Sequence, residues 1–179
     1  MAKLSYLLFN MLVLLPVLIL SLKSDVRPHA KRRALLRVFG SVSVPFIIWD
    51  VWAARSGHWL FNESYVLSPR IMSLPIEEIL FFITVPFAMI FVWGAVLKHL
   101  EDRAVSRGLV QSILGMLAVL SAGLAYLNWE KGYTRSVGLA VFASCGILLT
   151  QRIAYTRRFW VFQAIHIALF FVSNTVLTA

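Results

Sequence analysis

Two consecutive glutamates, Glu77 and Glu78, carry the most distinctive potential chemistry in this sequence, because they open a long apolar stretch directly after Pro75. A third acidic residue, Asp50, ends the apolar stretch before it. Burying a charged side chain in a membrane is costly, so acidic residues at such positions are rarely accidental. Desolvation and a neighbouring carboxylate both disfavour the ionised form of a carboxyl group. The pattern therefore favours a carboxyl group that retains a proton and can deliver it to a substrate.

Helix capping is the alternative explanation for the glutamate pair. Pro75 suits the first turn of a helix, and acidic side chains there complement the helix dipole by about 0.3–1 kcal/mol. One glutamate would suffice for capping, and the second is followed by the apolar residues Ile79 to Phe82. Consecutive helical residues point about 100° apart, so we expect only one of the two to face a pocket, and the sequence leaves open which one.

Six long apolar stretches must position these carboxyl groups. Hydrophobic residues make up 60% of the 179 residues, more than a soluble core uses, and about 20 apolar residues cross a hydrocarbon core of about 30 Å. The sequence therefore predicts an all-α, polytopic membrane helix bundle of about six transmembrane helices, with 1–179 as a single membrane domain. Pro45 and Pro86 are expected to kink two of the helices. The predicted spans are 4–22, 38–54, 75–97, 108–127, 133–150 and 159–178.

The net charge of +9 is compatible with a nucleic-acid partner, but the basic residues lie between the apolar stretches. They are denser after the first, third and fifth stretches than on the opposite side. This distribution predicts that those three loops are cytoplasmic and that both termini lie on the non-cytoplasmic side of the cell membrane. Membrane lipid is then the expected partner, and nucleic acid is not.

Neither a cofactor nor a metal is predicted. The nine glycines form no dinucleotide fingerprint and no phosphate-binding loop. His58 with the acidic residues would make only a weak oxygen-rich metal site. Cys145 is the only cysteine and lies within an apolar stretch, so a packing role is expected for it.

Four segments of the sequence follow one another in a distinctive order. They are Pro45 to Asp50, Gly57 to Asn62 with Tyr65, Leu74 to Phe82, and Val85 to Phe87. Together these segments resemble the integral-membrane lycopene cyclase family of Gram-positive bacteria, archaea and fungi. Their order and spacing make the resemblance fairly specific over about residues 4–98, and it is weaker over 133–179.

The resemblance implies a tandem of two three-helix units, fused or on separate chains, each with a Pro-x-Glu-Glu or Pro-x-Glu-Asp motif. Arg33 precedes Asp50 by 17 residues and Arg157 precedes Asn174 by 17, so Asn174 would correspond to Asp50. We therefore expect a first repeat unit over 1–100, and a linker helix with a partial second repeat over 101–179, with the last helix of the repeat missing. A second cyclase subunit or self-association is the partner that this pattern suggests.

The activity implied by the resemblance is a non-redox cyclisation of the linear ends of lycopene. An acid protonates the terminal double bond, an internal double bond attacks the resulting cation, and a base removes a ring proton. Glu77 or Glu78 would be the acid, and Asp50 or the other glutamate would be the base.

Substrate-binding residues are also suggested by this chemistry. Aromatic faces stabilise a cation by about 0.5–2 kcal/mol each, although packing is the alternative role for each ring. Polar side chains near the acidic residues, and the counterpart of Asp50, complete the expected set. The candidates are Trp49, Trp52, Phe81, Phe82, Asn62, Tyr65 and Asn174.

Two other functions fit the same sequence features. A non-catalytic subunit that binds a carotenoid or organises a membrane complex would also account for a single acidic motif. A small proton-coupled carrier would account for carboxyl groups at membrane depth. Against a carrier, the acidic residues gather at one end of the bundle.

Overall fold

The computed structural model describes residues 4–23, 26, 32–58 and 60–178, without the side chains of residues 32, 34, 173, 174 and 176–178. Helices joined by loops make up most of the described chain, and one short hairpin is its only two-stranded sheet. Its elements are α1 (Ser5–Lys23), α2 (Arg32–Val38), a π-helix (Phe39–Ser43), α3 (Val44–Arg55), β1 (Arg70–Ile71), β2 (Leu74–Pro75), α4 (Ile76–His99), α5 (Arg107–Leu127), α6 (Gly132–Thr150), a 3₁₀-helix (Arg152–Tyr155) and α7 (Arg157–Thr178).

Five helical stretches are long and apolar enough to cross a membrane. This confirms the prediction of an all-α polytopic membrane bundle. The sixth predicted span, 159–178, lies within α7, which is helical but is not one of the five. The five stretches are Ser5–Lys23, Leu35–Arg55, Ile76–His99, Arg107–Leu127 and Gly132–Thr150.

The chain divides into two compact units. Unit 1 comprises Met1–His99 and Leu169–Ala179, and unit 2 comprises Leu100–Ala168. The single domain and the tandem repeat expected from the sequence stay predictions. Each unit has its own internal packing.

In unit 1, α4 packs against α1, α3 and the π-helix. The π-helix lies immediately before Pro45, and the Val44 N–H bonds to the Phe39 carbonyl, five residues back. Pro45 has no N–H, and its ring would clash with a carbonyl in a regular helical turn, so a widened turn relieves the conflict. The expected effect of Pro45 on helix geometry therefore takes the form of a π-helical segment within the second span.

A tight hairpin leads into α4. Arg70 pairs with Pro75 and Ile71 with Leu74 in antiparallel register. The two residues at the tip, Met72 and Ser73, have φ angles of 52° and 78°. Both central residues of a type I′ turn need positive φ, which is uncommon for residues other than glycine. The hairpin thus accepts local strain immediately before the glutamate pair.

In unit 2, α5 packs closely along α6. A Cβ atom built on Gly138 would lie 2.7 Å from the Ser121 carbonyl oxygen and 2.9 Å from the Ala125 Cβ. Small residues let membrane helices approach closely and gain van der Waals contact. Cys145 is buried in the hydrophobic core of this unit, in keeping with the packing role expected for it.

Replacing Gly138 with alanine is expected to destabilise the α5–α6 pair by about 1–3 kcal/mol, because a backbone carbonyl stands where the new methyl group would lie. Gly146, on the same helix, has nothing within 4 Å of its virtual Cβ, so G146A is the matched control. Unfolding of the purified protein in mixed micelles measures both. Equal stability of the two variants would contradict the close approach.

Candidate active site

Glu77 is the most enclosed acidic residue of the chain that the structure describes. It follows the hairpin at the start of α4, and its side chain is 0% exposed. The Leu67 backbone N–H donates a hydrogen bond of 2.6 Å to Oε1, while the buried Oε2 has no partner among the described residues. The hydrogen bond comes from the preceding loop and not from the first turn of α4. Glu77 therefore connects the loop to the helix, which simple capping does not require.

Asp50 and Glu78 complete an acidic cluster with Glu77. Asp50, near the end of α3, is 3% exposed, and its buried Oδ2 also has no hydrogen-bond partner among the described residues. Glu78 is only partly buried and interacts electrostatically with both Asp50 and Glu77. Tyr6 of α1 is close enough to Glu78 for the two side chains to interact electrostatically. The structure thus brings together the three acidic residues that the sequence placed on two different spans.

A buried amide on α1 supports the same end of α4, and the sequence analysis missed it. Asn10 is 1% exposed and donates through Nδ2 to the Glu77 carbonyl oxygen at 3.1 Å. Its Oδ1 accepts a hydrogen bond of 2.8 Å from the Thr84 hydroxyl. A search restricted to ionisable residues passes over Asn10 and Thr84. The available signal was an asparagine in the middle of an otherwise apolar span, where a polar group needs a partner.

Aromatic rings follow the glutamates along α4. Phe81 and Phe82 meet edge to face with their centroids 5.7 Å apart. Phe81 also contacts Phe9 of α1 at 6.3 Å, and Phe82 stacks on Phe46 of α3 at 6.3 Å. These contacts give both rings a packing role, while the rings remain only partly buried beside the acidic end of the helix.

The two tryptophans of α3 form a second aromatic group. Trp49 and Trp52 meet edge to face at 5.9 Å, and Trp52 lies 5.0 Å from the His58 ring. Trp49 directly precedes Asp50 in the chain and is partly buried. Trp52 is more exposed than Trp49, so it contributes to the rim of the group.

The polar substrate-binding candidates are not placed in direct contact with the acidic cluster by any described hydrogen bond. Asn62 is exposed, and its Oδ1 accepts a hydrogen bond of 2.9 Å from the Ser64 N–H, which is a turn-forming contact. Tyr65 is exposed in the same loop. The backbone of Asn174 lies in α7, but its side chain is outside the described part of the chain. Substrate binding by these three residues stays a prediction.

A metal site has no geometric support in the described part of the chain. Within residues 4–23, 26, 32–58 and 60–178, no group of three or more His, Cys, Asp or Glu side chains is arranged to hold a metal ion. The chemistry that the three carboxyl groups can perform by themselves is the donation and acceptance of protons.

A family model described as lycopene cyclase matches residues 3–95, which is more than half of the chain. The match contains the acidic cluster, the hairpin, and both Asn10 and Thr84. The chain therefore belongs to the lycopene cyclase family, as the sequence resemblance predicted. No curated protein and no solved structure matches the chain. Membership supports a role related to carotenoid cyclisation.

A double-mutant cycle can measure the interaction free energy of the hydrogen bond between Asn10 and Thr84. N10L and T84V each remove the buried hydrogen bond between the two side chains, so each is expected to destabilise the protein by about 1–2 kcal/mol. The double variant should lose less than the sum, by roughly 0.6–1.7 kcal/mol. Unfolding in mixed micelles measures all four proteins.

S144A is the matched control for this cycle, because the Ser144 hydroxyl is exposed and donates within its own helix, to the Ala140 carbonyl. It should change stability little. Strict additivity of N10L and T84V would contradict a direct interaction between the two side chains.

Proposed function

We propose that this protein is a lycopene cyclase, or a subunit of one, that forms rings at the ends of a linear polyene by proton-initiated cyclisation. The observation that carries the proposal is the acidic cluster of Asp50, Glu77 and Glu78, withdrawn from water within the apolar helices of a family member. A hydrocarbon has no lone pair or charge to which an enzyme can bind. A proton donated to a double bond is the direct way to activate it.

Glu78 is assigned as the proton donor. Glu77 is fully enclosed and fixed by the Leu67 N–H, whereas Glu78 is only partly buried and so lies nearer to the surface that a substrate can reach. Protonation of the terminal double bond creates a tertiary carbocation, and attack by the internal double bond forms the ring bond. Asp50 interacts with Glu78 and presents a buried oxygen without a partner among the described residues, so it can accept the proton that leaves the ring. The product is an isomer of the substrate.

The cationic intermediate needs stabilisation by groups that do not trap it. Phe81 and Phe82 lie one turn beyond the glutamates on α4, and Trp49 precedes Asp50 on α3. Their ring faces attract a cation without forming a bond to it. Water near the cation would instead add to it as a nucleophile. Burial of this cluster therefore protects the intermediate from being trapped.

The substrate is expected to reach the cluster from the bilayer. On α3, Phe46 is 56% exposed and Ile48 is 64% exposed, and the Phe46 ring stacks on Phe82. Apolar side chains exposed on a membrane-spanning helix face lipid, where a polyene dissolves. A polyene end that follows Phe46 and Phe82 is led toward the carboxyl groups.

The cellular arrangement follows from the same proposal. The denser basic loops support the cell membrane as its location, with both termini on the non-cytoplasmic side. A second cyclase subunit, or a second copy of this chain, would supply the other acidic motif of the family pattern.

Expression in a carotenoid-free bacterial host equipped to make lycopene tests the activity. The chain, alone or together with a cyclase subunit that carries the other motif, should convert lycopene into ringed isomers of the same mass, separated by chromatography. Unchanged lycopene under both conditions, with the protein present in the membrane, would rule out the cyclase. A carotenoid that co-purifies without being converted would instead identify a binding subunit.

Replacing Glu78 with glutamine is expected to lower product formation by about 100-fold or more, because the amide cannot donate a catalytic proton. Glu77→Gln loses the ionisable group but keeps an oxygen that can accept the Leu67 N–H. This variant therefore tests the carboxyl group of Glu77 without removing its hydrogen bond. The matched control is E130Q, which changes an exposed glutamate of unit 2. Wild-type product from E78Q at equal protein abundance would contradict the assignment of the donor.

Replacing Phe82 with leucine is expected to slow cyclisation about 2-fold to 30-fold, through loss of a cation–π interaction of about 0.5–2 kcal/mol. The control is F142L, an exposed ring on α6 in unit 2. Product formed per membrane protein over time measures both. An equal effect of the two substitutions would show that Phe82 acts only through general packing.

A further inference from the structure

Unit 2 contains a pocket of about 390 Å³, outside the acidic cluster and outside the residues that the family model matches. It forms where α5 begins and α6 ends, beside the 3₁₀-helix. The volume lies in the range of about 300–1,000 Å³ that is usual for small-ligand sites. The pocket is lined by Arg107, Gln111, Leu149, Thr150, Arg152 and Tyr155.

The lining carries two positive charges and no acidic side chain. Glu101, an acidic residue of the preceding loop, pairs instead with Arg103 at 3.1 Å. Each guanidinium presents five N–H donors in a planar fork that matches two oxygens of a phosphate group. Arg107 and Arg152 therefore provide both the charge and the geometry for an anion.

The polar neighbours make the pocket rich in donors. The Tyr155 hydroxyl already donates to the Leu149 carbonyl at 2.9 Å, and the Thr150 hydroxyl to the Ile147 carbonyl at 2.7 Å. Among the described lining residues, the two arginines and the Gln111 amide have side-chain donors that can bind a ligand. In addition, α5 begins at Arg107 without a side-chain cap from Ser106, so the positive end of its dipole adds to the same field. A ligand with several acceptor oxygens and negative charge fits these features.

The position of the pocket indicates the source of such a ligand. Arg107 is the first residue of one membrane-spanning helix and Thr150 is the last residue of another, so the pocket lies where the spans meet the headgroup layer. Leu109 and Ile153, close to the two arginines in the chain, are exposed apolar side chains suited to an acyl chain. We propose that the pocket binds the phosphate group of an anionic phospholipid headgroup.

The test uses the full-length protein in lipid nanodiscs and counts retained lipids by native mass spectrometry. Phosphatidylglycerol should be retained in preference to phosphatidylcholine. R107Q and R152Q should each weaken retention about tenfold, since a charge-assisted hydrogen bond is lost. R157Q is the matched control, because Arg157 is an exposed arginine of the same unit that does not line the pocket. A general attraction of basic loops to anionic lipid would instead weaken all three variants alike and overturn the proposal.

A second arm distinguishes a lipid from a soluble ligand. Inorganic phosphate is added to the protein in detergent, and thermal stability is followed. Saturable stabilisation by phosphate that R107Q and R152Q abolish, without preference for phosphatidylglycerol, would keep the anion site but overturn the lipid assignment. Equal retention of the two lipids with no response to phosphate would overturn the site altogether. Cyclase activity is not a readout in either arm, so failure of both arms leaves the proposed function untouched.

Discussion

Withdrawing carboxyl groups from water is the constraint around which unit 1 is arranged. An acidic side chain in an apolar bundle requires local compensation, because no solvent is present to stabilise it. For Glu77 the compensation is a backbone N–H from Leu67, which is available only because the loop folds back over the start of α4. The hairpin that precedes α4 places the loop there, at the cost of positive φ angles at Met72 and Ser73. Strain of this kind is retained where the surrounding structure requires it, and it is often found at functional sites.

The other contacts of unit 1 fix the helix that carries the glutamates. Asn10 bonds to the Glu77 carbonyl and to the Thr84 hydroxyl, so one α1 side chain holds α4 at two residues about two turns apart. In lipid, apolar surfaces give little drive for helices to associate, and hydrogen bonds with close packing do more of that work. A buried asparagine between two spans is therefore a strong determinant of register. A shift of α4 along α1 would break both hydrogen bonds and move Glu77 and Glu78 away from Asp50.

The sequence predicted the spans well and their supporting contacts poorly, and the reason is physical. Long apolar stretches bounded by charges specify membrane helices almost without tertiary information, which is why the predicted span 108–127 differs from α5 only at its first residue. The gathering of Asp50 and the glutamate pair at one end of the bundle could be predicted, because Asp50 lies near the end of one span and the glutamates open the next. The Leu67 contact could not be foreseen, because a backbone N–H donor leaves no trace in residue identity. The π-helix before Pro45 was likewise hidden, since proline signals a disturbance of the helix but not its form.

The two units place different demands on their residues. The family match ends at residue 95, close to the boundary of unit 1 at His99, so the residues proposed for proton chemistry and their supports all belong to the matched unit. In unit 2, Gly138 contacts α5 and two arginines line a pocket at the helix ends, and neither feature is needed to protonate a polyene. A substitution that affects lipid retention through Arg107 should therefore be separable from one that affects cyclisation through Glu78. The proposed chemistry depends on excluding water from one group of acids, whereas the pocket of the second unit has the features of a contact with the membrane surface.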